Sequence, residues 1–134
     1  MLTIRIESFT KDKPALLKDA FRIRHKVFIE EQGVDKFLEY DGLDDEAVHY
    51  LVYYDDKPVC TARWRETSEG VKLERFATLK KFRGKSLASV LLRYILEELT
   101  CLRKNYICMH KFLLLVFTKL IISKKKAKNL LKLI

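Results

Sequence analysis

The chain has 134 residues, 49% hydrophobic and 34% charged, with 27 Lys/Arg against 18 Asp/Glu for a net charge of +9. That length carries one domain with a core of its own, and the composition is that of a globular protein rather than a disordered or fibrous one. No apolar run reaches the roughly 18 residues a membrane helix needs. The three cysteines form no C-x-x-C pair and the three histidines no ligand cluster, which argues against a disulfide framework and against a metal site.

Charge is unevenly placed. Residues 1–110 hold 20 Lys/Arg and 18 Asp/Glu, whereas residues 111–134 hold seven lysines and no acid. The basic character belongs to the tail, so the rest of the chain is not expected to seek nucleic acid. No signal peptide is expected, since the chain is strand-like from its first residues, and odd, unpaired cysteines suit reduced thiols in a cytoplasm.

Leu2 to Phe9 alternates Leu2/Ile4/Ile6 with Thr3/Arg5/Glu7, predicting a half-buried strand. Thr10–Pro14 is a turn and helix start, with Pro14 near the first helical turn. Leu16, Leu17, Ala20, Phe21, Ile23, Val27 and Phe28 predict an amphipathic helix from Ala15 to about Glu31, closed by Gly33. Glu30 to Glu46 reads as a long acidic loop, a length usually tied to function or mobility. Strands are expected at Ala47–Tyr54 and Val59–Thr67, joined by the turn Asp55–Pro58, with Ser68–Gly70 turning into a third.

That third strand opens the most informative stretch: strand Val71–Leu79, basic turn Lys80–Lys85, helix Ser86–Leu99. Leu87, Val90, Leu91, Tyr94, Ile95 and Leu99 give the helix one apolar face. A short strand at Asn105–His110 would follow. A helix N-terminus leaves N–H groups unpaired and carries partial positive charge, which suits a phosphate, and Arg83 and Lys85 add cations. A solvated basic turn is the plainer reading of the same residues. The predicted order, β-α-loop-β-β-β-α-β, gives an α/β domain with a mixed, mostly antiparallel sheet flanked by helices.

Arg83–Ala88 (RGKSLA) resembles the acyl-CoA signature Gln/Arg-x-x-Gly-x-Gly/Ala of the GNAT N-acetyltransferases, with Ser86 where that signature has its first glycine. The segments Phe21–Asp35, Glu39–His49, Thr61–Thr67 and Lys72–Arg75 resemble, in the same order, the YjcF/ElaA-like branch of that superfamily. The resemblance covers residues 1–110, taken as a GNAT domain, and implies acetyl-CoA bound where the fourth and fifth strands splay. The backbone of Phe76, Ala77 and Thr78 would then meet the pantetheine arm and acetyl carbonyl. Arg83, Gly84, Lys85, Ser86, Leu87, Ala88 and Ser89 would hold the pyrophosphate. Acetyl would pass from the thioester to an amine on a small molecule or peptide, and the resemblance leaves room for a homodimer.

An amine must be neutral to attack, so a base is wanted. Glu74 is the first candidate, with a salt-bridged strand glutamate as its other reading. Glu31, Glu39 and Asp41 are candidates for drawing in a cationic acceptor, or else a solvated acidic loop. His49 reads as a packed core histidine, Cys60 and Cys108 as small core residues, and Arg63 and Trp64 as pairing and packing.

Residues 111–134 form an atypical basic, apolar tail that departs from the family, lacking its later tyrosine and final hairpin. An amphipathic surface helix is one reading. A shifted reading frame is the favoured one: permitted codons for 111–122 and 128–134, read from the third base, give Phe-Tyr and then Phe-Ile-Glu-Ala, which resembles the family ending. The contrasting functional class is a catalytically silent acyl-CoA-binding or interaction protein whose tail touches membrane or nucleic acid.

Overall fold

Between Val48 and Tyr54 every residue but His49 is apolar or aromatic, the mark of a strand covered on both faces. The computed structural model, which describes residues 2–68, 70–101 and 106–108, makes this strand the second of five. The elements run β1 (Ile4–Phe9), α1 (Pro14–Arg24), a π-helical segment (His25–Glu31), α2 (Lys36–Glu39), a 3-10 turn (Asp44–Glu46), β2 (Val48–Tyr54), β3 (Lys57–Thr67), β4 (Gly70–Thr78), a second 3-10 turn (Lys80–Phe82), α3 (Leu87–Cys101) and β5 (Tyr106–Cys108). The sheet order is β1-β2-β3-β4-β5, antiparallel through β4 and parallel between β4 and β5. The expected α/β architecture with a mixed, mostly antiparallel sheet is the one found.

Alternation along the strands sorts side chains into two cores. Tyr50 and Val52 of β2, with Cys60, Ala62, Trp64, Leu73 and Phe76, pack under Leu87, Leu91, Ile95 and Leu99 of α3. Leu51 and Tyr53, with Phe9 and Ala77, pack under Ala20, Ile23, Val27 and Phe28 on the other face. Tyr50 Oη donates to Glu98 Oε1 (2.7 Å) and accepts from Trp64 Nε1 (2.8 Å), so the buried hydroxyl is satisfied.

Three expectations are corrected. The helix ending at Glu31 does not stay α-helical: from His25 it widens, Gln32 N–H donating to the carbonyl of Val27 (3.2 Å). The apolar repeat Ile23/Val27/Phe28 does not separate the two hydrogen-bonding patterns over seven residues. The acidic loop is a folded connection, carrying α2 and a 3-10 turn, with Asp35 capping α2 by accepting from Phe37 N–H (2.8 Å). Finally, Leu2 and Ile4 are 52% and 46% exposed, because among the described residues β1 is an edge strand and α3 packs over β2, β3 and β4. The atypical tail and the side chain of Cys108 lie outside the described residues.

Candidate functional site

The site is built where β4 breaks its pairing. Thr61 faces Ala77 and Arg63 faces Glu74, so β4 carries one extra residue there, a β-bulge. Arg75 sits at the bulge with φ +60°, a left-handed conformation unusual for a non-glycine residue. On the other edge, β5 pairs with Val71, Lys72 and Leu73, and among the described residues no β5 partner follows from Glu74 to Thr78. Leu79 N–H donates to the carbonyl of Val59 on β3 (2.9 Å). By alternation Ala77 also bonds toward β3, while the backbone polar groups of Phe76 and Thr78 point to the open edge.

The chain then turns into α3 through two left-handed residues, Gly84 (φ +79°) and Ser86 (φ +60°). An added Cβ at Gly84 would meet nothing within 4 Å, so this glycine is required by its backbone angle rather than by space. The first bond of α3 runs from Val90 N–H to Ser86 carbonyl (3.0 Å), leaving the N–H groups of Leu87, Ala88 and Ser89 without helical acceptors. Ser89 is buried, and its Oγ has no hydrogen-bond partner.

The predicted cationic residues lie at this turn but are engaged. Arg83 Nε donates to the carbonyl of Thr78 (3.0 Å), and its Nη1 and Nη2 donate to Glu31 Oε2 (2.5 Å) and Oε1 (2.9 Å). These bonds hold the Glu31 carboxyl below its ordinary range. Lys85 Nζ lies 5.3 Å from the centre of the Tyr54 ring, a cation–π contact on the β2 side of the turn.

Beside the bulge lies a buried ion cluster. Arg24 donates to Glu39 (2.5 Å) and Asp44 (2.7 Å), and Arg63 to Asp41 (2.5 Å), Asp44 (2.7 Å) and Glu74 (2.8 Å). Arg65 Nε donates to Glu74 (2.5 Å). Arg75 Nη2 donates to Asp41 Oδ2 (3.1 Å) and to the carbonyl of Leu38 (3.0 Å), while its Nε lies 3.1 Å from Glu39 Oε2. The cluster thus ties the acidic connection to β3 and β4. Sequence reasoning gave Arg63 a pairing role but missed Arg24, Arg65, Arg75 and Asp44. The available signal was the alternation in β3 of Thr61, Arg63 and Arg65 with the core residues Cys60, Ala62 and Trp64.

Burial alone would raise the carboxyl pKa values here, but the arginines outweigh it. Hydrogen bonds and charge from Arg63, with the Leu43 N–H and Arg75, bring Asp41 down to about 2. Glu74 is lowered by Arg65 and Arg63, and Asp44 by Arg24 and Arg63. Glu74 is therefore a buried, paired carboxylate, the salt-bridged arrangement weighed for it from sequence. The expectation that Glu39 and Asp41 present free negative charge to an amine is corrected: four guanidinium groups and the Lys72 ammonium pair with the cluster's four carboxylates. His49 is buried against Phe9, its Nε2 2.9 Å from the Asp44 carbonyl, and burial pushes its pKa down despite that neighbour. It is a neutral core residue. Burial also pushes the Cys60 thiol up to about 11, leaving it unreactive.

This mostly antiparallel sheet flanked by helices has the overall fold of the acyl-CoA N-acyltransferases. An acyl-CoA N-acyltransferase from Pseudomonas aeruginosa shares it with TM-score 0.70 and 20% identity, over 79% of this chain and 78% of that one. Escherichia coli ElaA does so with TM-score 0.65 and 23% identity, over 73% and 70%. Residues 14–110 match the acetyltransferase (GNAT) family, and the chain belongs to it. It is 40% identical over 77 residues to the uncharacterized N-acetyltransferase YjcF of Bacillus subtilis (strain 168), covering 58% of this chain and 55% of YjcF. The chain spans about half the length of the curated relatives it matches.

Proposed function

We propose that this chain binds acetyl-CoA along the open edge of β4 and passes the acetyl group to an amine. The observation that carries the reading is that three sets of donors lack partners among the described residues: the edge of β4 past the bulge, the first N–H groups of α3, and the Ser89 hydroxyl. Such donors suit an extended amide-bearing arm that ends in phosphate.

In this reading the backbone of Phe76, Ala77 and Thr78 runs beside the pantetheine arm, and an edge N–H is placed to donate to the acetyl carbonyl oxygen. Gly84, Lys85, Ser86, Leu87, Ala88 and Ser89 surround the phosphates with N–H and hydroxyl donors, and Arg83 supplies charge at the rim. When bound, acetyl-CoA contributes an activated acyl thioester. The chain supplies orientation and polarisation. Glu74, expected from sequence as the general base, is read here as the carboxylate that fixes Arg63 and Arg65 across the bulge, because Oε1 accepts from both guanidinium groups and Oε2 faces Lys72 Nζ at 3.5 Å.

Calorimetry with CoA and with phosphate-free pantetheine tests the site. The Arg83→Ala/Lys85→Ala variant should lose about tenfold or more in CoA affinity, with pantetheine binding little changed, since each charge-assisted bond contributes about 1.5–3 kcal/mol. Equal losses for both ligands would put the phosphates elsewhere. Release of free thiol from acetyl-CoA when an amine is added tests transfer itself. A folded Glu74→Gln variant should retain the ionisation limbs of the kcat/KM pH profile; loss of one would return Glu74 to the role of base.

A further inference from the structure

The Arg83 guanidinium is committed on both of its paired edges. Its end-on pair of donors grips the two oxygens of Glu31, and its Nε is taken by the Thr78 carbonyl. A phosphate needs one of those paired edges for bidentate binding. Glu31 cannot readily retreat: it ends the π-helical segment, which is closed by the Gln32-to-Val27, Gly33-to-Ile29 and Val34-to-Phe28 backbone bonds. The backbone that carries Glu31 is thus held at the rim of the turn that the proposed function assigns to phosphate, and its carboxylate rests on Arg83.

Resting on that reading, we propose that Glu31 is an affinity-determining residue of the acyl-CoA site, a built-in competitor that must surrender Arg83 before the guanidinium can grip a cofactor phosphate. The exchange is of partners only. Arg83 rotates from carboxylate to phosphate, and Glu31 keeps the favourable field of Lys80. Both Arg83 and Glu31 are partly solvent-exposed, 40% and 34% at the side chain, so the ion pair is weak enough to be broken on binding. A merely positioning Glu31, one that holds Arg83 ready for phosphate, predicts the opposite sign of effect.

The test is a double-mutant cycle read by calorimetry at fixed salt, using CoA, CoA without its 3′-phosphate, and pantetheine as probes. Glu31→Gln should tighten CoA about two- to fivefold, the size of an exposed ion pair, and leave pantetheine unchanged. In the Arg83→Ala background the same substitution should have no effect. A gain kept by the probe lacking the 3′-phosphate assigns the competition to the pyrophosphate, and a gain seen with intact CoA alone assigns it to the 3′-phosphate. Weaker or unchanged CoA binding by Glu31→Gln overturns the proposal, as does an equal gain without Arg83, which would mean simple repulsion between Glu31 and the ligand. If the unaltered protein binds none of the three probes, the acyl-CoA reading itself fails. Because all substituted groups are at the rim, circular dichroism should show unchanged folding throughout.

Discussion

Ser86 adopts φ +60° at the position where the family signature carries glycine. A left-handed backbone costs an L-residue about 1–2 kcal/mol, while glycine forfeits about 0.5–1 kcal/mol through the freedom it regains on unfolding. Ser86→Gly should therefore stabilise the domain by about 0.5–1 kcal/mol, a rise in Tm of roughly 2–8 °C, and leave CoA affinity unchanged or higher. Thermal melts and calorimetry check both halves. A large loss of affinity would make the Ser86 hydroxyl a phosphate ligand in its own right. The sequence marked this residue as a departure from the signature, but only the backbone angle shows that the turn kept its shape around the wrong side chain.

At the level of elements, the strand-turn-helix of β4 and α3 was readable in advance because hydrophobic periodicity reports local geometry. The ion cluster was not, because charged residues look solvated until the elements that neutralise them are brought together. Arg24 from α1, Asp41 and Asp44 from the connection, Arg63 from β3 and Glu74 from β4 are separated in sequence by 50 positions at the extremes. Their titration sets the acid stability. Asp41, Asp44 and Glu74 have lowered pKa values in the folded protein, so they stabilise above their unfolded values near 4 and lose that contribution as pH falls toward about 2 for Asp41. His49 is also lowered, from 6.5. It contributes fully above pH 6.5, where it is neutral in both states, and less as pH falls through its folded value. Melting from pH 8 to pH 3 should thus show Tm declining in two steps, beginning near pH 6.5 and again below about pH 4. His49→Gln should remove the upper step, and Asp41→Asn should diminish the lower one alone. A Tm constant from pH 7 to pH 5 in the unaltered protein would show that His49 is not held neutral.

For the molecule as a whole, the family match ends at residue 110, where the resemblance read from sequence also ends, and the excess of lysine begins just beyond it. The described sheet has its own consequence for how the chain reaches this shape. Neighbours in the sheet are neighbours in sequence, yet the closures are unequal. β1 meets β2 only across α1 and the acidic connection, and β5 meets β4 only across α3. The β2–β3 hairpin instead closes over Asp55 and Asp56, both left-handed at φ +48° and +64°, the type I′ geometry that matches strand twist. Short-range closure costs little chain entropy, so this hairpin and the β3–β4 pair, closed just as tightly between Thr67 and Gly70, should form in the folding transition state, with β1 and β5 added later. Asp56→Gly, which suits the turn better, should accelerate folding while hardly changing the unfolding rate, giving a φ-value near 1 in stopped-flow chevrons. If the substitution slows unfolding instead, the hairpin closes after the barrier, and the edges of the sheet come together before its centre.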